Sequence, residues 1–175
     1  MLEDKLLIWK LKHGSSEALE QIYKKYEAFL ITVALALSHR IEIAEDTVHD
    51  VFVSLVSSAH KLKLHGNLKA YLAICVANRA RDRLRSRQRA PGALDPDIFI
   101  ESTAWNPEFL AMQQEEHVHL SNAMARLSFE QREVIVLHLY GSMKFTQIAK
   151  LREASVNTVR SQYRYGSRHQ TADRN

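Results

Sequence analysis

Proline and glycine are scarce in this chain, at three and five of 175 residues. With so few breakers, long segments can hold one period, and little β-branched alternation is present, so the expected fold class is all-α. The single cysteine, Cys75, excludes an internal disulfide, and its place on an apolar helical face suits a small core residue. No run of about eighteen apolar residues occurs, which argues against a membrane-spanning helix, and no membrane insertion is expected. Glu3 and Asp4 stand where a secretory signal would carry basic residues, so the expected location is cytoplasmic. Catalytic signatures are missing as well: there is no glycine-rich phosphate loop and no Gly-x-Ser-x-Gly elbow. His117 and His119, two apart, diverge on a helix and have no cysteine partner, so no metal site is expected. No cofactor is expected, and the chain does not read as an enzyme.

What is present is apolar periodicity and arginine. The net charge of +4 divides into +5 over residues 1–90, −5 over 91–127 and +4 over 128–175. Two basic blocks around an acidic connector suggest two nucleic-acid-facing units joined by a segment with another task. The first block ends in Asn78 to Arg89, which holds six arginines in twelve residues. Spaced by two, they surround a helix instead of sharing one face. A cationic rod of this kind suits a phosphate backbone; a frayed, solvated helix end is the alternative.

Helical periods fill most of the chain. Leu2, Leu6, Leu7, Trp9 and Leu11 mark a first helix, stopped by Gly14 in a left-handed cap. Ser15 or Ser16 caps a second, expected to run to about Ser38 with Ala18, Leu19, Ile22, Tyr23, Tyr26, Phe29, Leu30 and Val33 inward. A third starts near Ile43 and turns Ala44, Val48, Val51, Phe52, Leu55 and Val56 inward. On the fourth, Leu68, Tyr71, Leu72, Cys75, Val76 and Leu84 face the core, completing a bundle. Pro91, Gly92 and Pro96 then end the first domain. Helical pattern returns between Glu108 and Leu120. Ser128 and Gln131 form a capping box before Val134, Ile135, Leu137 and Leu139, with Gly141 as the stop. A short helix over Phe145 to Arg152 and another capped by Ser155, with Val156, Val159 and Tyr163 on one face, make a helix-turn-helix. Asn157, Arg160, Ser161 and Arg164 lie off that face, where asparagine suits adenine, arginine suits guanine and serine suits bases or phosphate. A polar solvated face is the alternative.

These motifs resemble those of the extracytoplasmic-function, or group IV, sigma factors of bacterial RNA polymerase, over nearly the whole chain. Ala44-Glu45-Asp46 through Asp50 and Phe52 resembles the family's run in region 2.2. Tyr71-Leu72, Asn78, Asp82 and Arg85 resemble its pattern in regions 2.3 and 2.4. Gln131-Arg132-Glu133-Val134, Ile148-Ala149 and Ser155-Val156-Asn157-Thr158-Val159 resemble region 4. Departures are His49 for glutamine, Tyr71 for tryptophan, Arg152 for a core leucine, Glu153 for a turn glycine and Gln162 for arginine. The basic end of the last helix is expected to be short.

The resemblance implies two small helical domains, a region 2 bundle (residues 1–90) and a region 4 helix-turn-helix (116–175), joined by a flexible acidic linker (91–115). It implies docking on the β′ clamp helices of core RNA polymerase through Glu45, Asp46, His49 and Asp50, with the β flap as a further contact. Recognition and melting of the −10 element of promoter DNA would fall to Lys61, Lys63, His65, Asn67 and Asn78, with Arg81, Arg83 and Arg85 on phosphates. Ser155, Asn157, Thr158, Arg160, Ser161 and Arg164 would read the −35 element. An anti-sigma factor is a further candidate partner. A stand-alone helix-turn-helix regulator and a DNA invertase are the competing readings, the second lacking any nucleophile or metal cluster.

Overall fold

The computed structural model describes residues 2–62, 67–89 and 124–172. Among these every regular element is helical: α1 (Leu2–Lys12), α2 (Ser16–Ser38), α3 (Ile41–Ser58), a 3-10 turn (Ala59–Lys61), α4 (Leu68–Arg89), α5 (Phe129–Leu139), α6 (Phe145–Leu151) and α7 (Val156–Ala172). Lys63, His65, the linker 91–115 and the helical pattern expected between Glu108 and Leu120 lie outside the described residues.

Helices α1 to α4 form one bundle around Ile22, Leu30, Val48, Leu68, Leu72 and Val76, all fully buried. The cap of α2 is Ser15, whose Oγ accepts the Ala18 backbone N–H at 3.2 Å. Gly14 before it is left-handed at φ 83°, a conformation that L side chains rarely adopt. Helix α1 buries Leu7, Ile8 and Leu11 and leaves Leu2, Leu6 and Trp9 exposed. On the same side lies Asp4, which is buried and accepts from Tyr26 Oη at 2.8 Å and Lys25 Nζ at 2.9 Å. A buried carboxylate satisfied by two donors outweighs an apolar residue left in water.

Two residues leave the expected core. Tyr23 lies at the surface, donating to Glu27 at 2.6 Å. Val56 is 44% exposed, on the outward side of α3.

Helices α5 to α7 make the second unit. The expected capping box is present, with Gln131 N–H donating to Ser128 Oγ at 3.3 Å and Ser128 N–H to Gln131 Oε1 at 3.2 Å. Helix α5 ends at Leu139, which is exposed. Gly141 aids the stop through space: a Cβ there would sit 2.6 Å from the Leu137 carbonyl oxygen, while Ser142 takes the left-handed turn at φ 53°. His138, Phe145 and Tyr163 form an aromatic cluster tying the three helices together, with His138 stacked on Phe145 at 4.2 Å.

Candidate functional site

The arginine run divides by face. Arg79 and Arg83, four apart, turn toward α3, where Arg83 Nη2 donates to Asp50 Oδ2 at 2.6 Å and Nη1 to Asp46 Oδ2 at 3.4 Å. Arg79 Nε lies 3.4 Å from the same Asp50 oxygen. The hydrogen bond from Arg83 holds the Asp50 carboxyl below the usual range. Two acids expected on the docking face and two arginines of the cationic rod are therefore partners in one seam. Arg81, on the other side of α4, donates to Asn78 Oδ1 at 3.2 Å and to Glu133 of α5. Arg85 is exposed, one turn beyond Arg81.

The sequence-predicted residues before α4 serve partly as structure. Asn67 Oδ1 accepts the Lys69 N–H at 2.9 Å and its carbonyl accepts the Tyr71 N–H at 3.1 Å, so Asn67 starts the helix. Lys61 is exposed on the 3-10 turn.

On α3 the outward stripe carries Glu42, Glu45, Asp46 and His49, then Val53 and Val56, at helical spacings of three and four. The valines were not expected in it. They are 52% and 44% exposed, an apolar continuation of an acidic face. The signal was available, since Glu42, Glu45 and His49 extended by three or four residues arrive at Val53 and Val56. Without a partner in view, apolar residues default to the core.

In the second unit Ser155 caps α7, its Oγ accepting the Thr158 N–H at 3.0 Å. Val159 is buried, which turns Asn157, Thr158, Arg160 and Arg164 to solvent with Ser161 at their margin. Glu153, where the family pattern has glycine, takes the left-handed turn itself at φ 51°. Arg152 and Gln162 are also coupled: Arg152 Nη1 donates to Gln162 Oε1 at 2.5 Å, and its Nε lies 3.3 Å from Glu133 Oε2. The leucine and arginine of the family pattern are thus exchanged together for a polar network around one buried carboxylate.

Comparison with known proteins agrees with this geometry. The family model "Sigma-70 region 2" matches residues 22–90, and "Sigma-70, region 4" matches 118–169. The ECF RNA polymerase sigma factor SigM of Mycobacterium tuberculosis is 25% identical over 150 residues, covering 85% of this chain and 72% of the relative. The fold is shared with the sigma factor RpoE of Bartonella quintana, solved with the anti-sigma factor NepR, at a TM-score of 0.68, 24% identity and coverage of 87% of this chain and 94% of that one. It is also shared with CnrH, solved with the cytosolic domain of CnrY, at a TM-score of 0.67, 19% identity and coverage of 97% and 96%. No helix among the described residues is long and apolar enough to cross a membrane. Two sigma-70 regions in family order, on a two-unit helical fold, place the chain in the sigma-70 family of RNA polymerase sigma factors.

Proposed function

We propose that the chain recruits core RNA polymerase to a specific class of promoters and assists strand opening, making no bonds of its own. The observation that carries this is a pair of outward faces of different chemistry on two folded units. One is the α3 stripe of Glu42, Glu45, Asp46, His49, Val53 and Val56, acidic at one end and apolar at the other. The other is the α7 face of Asn157, Thr158, Arg160 and Arg164, polar and cationic at the end of a helix-turn-helix. The first suits a basic and apolar protein surface, for which we take the β′ clamp helices. The second suits a major groove at the −35 element, with the β flap beside it.

Residues 1–90 would then act as the docking and −10 unit, 91–115 as the acidic linker and 116–175 as the −35 unit. At −10, Asn78 and the segment from Lys61 to Asn67 would meet bases while the arginines meet phosphates, Arg85 being the freest of them. Since the sigma factor RpoE was solved with the anti-sigma factor NepR, an anti-sigma factor is the regulator we expect here. Run-off transcription with purified core polymerase tests the reading. RNA from a cognate promoter should appear only when both proteins are present, and failure to bind core would end it.

A further inference from the structure

Helix α1 is apolar on two opposite sides. Inward it buries Leu7, Ile8 and Leu11, while outward Leu2, Leu6 and Trp9, at spacings of four and three, are 86%, 52% and 58% exposed. A helix apolar on both sides needs a second cover. His13 continues the outer stripe, its ring 4.3 Å from that of Trp9. Exposed lysines edge it, Lys5 and Lys12 on one side and Lys10 on the other. The outer face of α3 has the opposite sign: exposed Glu42, Glu45, Asp46 and His49 lead into exposed Val53 and Val56.

We propose that these two faces are the halves of one contact, in which α1 of one copy of the chain docks on α3 of a second copy. A copy whose α3 is covered in this way is withheld from core polymerase. That consequence rests on the sigma-factor reading above; the self-association does not.

Charge and register together select this occupant. Antiparallel α1 on α1 would bring the Lys5 and Lys12 edges together, and α3 on α3 would set acids against acids or against valines. Only α1 on α3 matches in both sign and polarity. Laid antiparallel with Leu2 beside Val56, the two helices bring Leu6 to Val53 and Trp9 to His49. The same register carries Lys12 to Glu45 along one edge and Lys10 to Asp46 along the other. A parallel alignment that keeps Trp9 on Val53 would set Leu2 on Asp46 instead. Stable protein pairs bury roughly 1,600 Å² in total. One face of an 11-residue helix offers less, so the contact is reversible, with an affinity in the micromolar range.

Sedimentation velocity on the full chain tests this. The parent should self-associate as concentration rises, and less so at high salt. Trp9→Glu and Val53→Asp, both at exposed positions, should each weaken self-association by about tenfold or more while circular dichroism shows unchanged helicity. An equimolar mixture of the two variants should form a dimer and stop there, because one brings an intact α3 and the other an intact α1. Lys10→Glu with Lys12→Glu, and separately Glu45→Lys with Asp46→Lys, give a second pair of variants with the same expected pattern. Self-association that survives either single substitution, or a mixture that stays monomeric, would overturn the proposal. A parent that stays monomeric but floats with phosphatidylserine vesicles would overturn it in favour of a lipid surface. Core polymerase should disperse the parent assembly. The expected mixing pattern with no response to core polymerase would uphold the self-association and count against the sigma-factor docking face alone.

Discussion

Glu133→Gln removes the charge at the centre of the two-unit structure while keeping the volume. Glu133 is fully buried between Arg81 and Arg152, and the Arg152 side chain is itself only 11% exposed. Burial raises the pKa of the Glu133 carboxyl, and both arginines oppose that rise. If the arginines hold it ionised at pH 7.5, the amide leaves a buried guanidinium without its counter-charge. Breaking a buried pair from one side costs about 3–5 kcal/mol, and for a chain of this size each kcal/mol moves Tm by roughly 2–4 °C. Thermal unfolding followed by circular dichroism should therefore show Tm lowered by roughly 6 °C or more. Removing Arg152 as well, with Glu133→Leu and Arg152→Leu together, should cost less than Glu133→Gln alone, because the guanidinium then left without a counter-charge is that of Arg81, whose side chain is 22% exposed against 11% for Arg152. A Tm for Glu133→Gln within about 2 °C of the parent, less than a 1 kcal/mol loss would give, would mean that the carboxyl is already neutral and that the ion-pair account is wrong.

Other expectations follow from the same contacts. His39, the left-handed C-cap of α2, has a folded pKa of about 4 against an ordinary 6.5, so stability present above pH 6.5 should be lost as pH falls toward 4. Discounted for the residue's partial exposure, that loss is about 2 kcal/mol; His39→Asn, which tolerates the backbone, should flatten the denaturant-midpoint profile over that window, and parallel profiles would refute the assignment. Asp4→Ala leaves Tyr26 Oη without its acceptor and should cost about 1–3 kcal/mol in urea unfolding, with α1 amides exchanging faster; unchanged exchange in α1 would show that apolar contacts alone hold that helix. Val53→Asp should weaken binding to immobilised core polymerase about tenfold or more with Tm unchanged, and equal affinity would remove α3 as the docking face.

The helices themselves were legible because their signals are local. Ser15 as a cap, the Ser128–Gln131 box, Gly14 and the helix-turn-helix spacing are each decided within a few residues. Side-chain destinations were less so. Asp4 counted as one acid among several near the N-terminus, and only its neighbours Lys25 and Tyr26, some twenty residues away, make it a buried acceptor. Six arginines in twelve residues announced charge but not its division, which depends on Asp46 and Asp50 lying on one side of α4 and Glu133 on the other. The run Val33-Ala34-Leu35-Ala36-Leu37 carried an overlooked signal. Five apolar residues in succession on a helix that otherwise shows a single stripe call for a second covering surface.

Mapping RNA 5′ ends after overexpression in a bacterial host tests the central claim most directly. The account predicts new transcription starts that share one motif near −10 and one near −35, with dependence on the −35 motif lost in Arg160→Ala and strand opening weakened at every start alike in Arg85→Ala. New starts with no shared −10 motif, or regulation of existing starts without new ones, would contradict it and favour a DNA-binding regulator that acts apart from core polymerase.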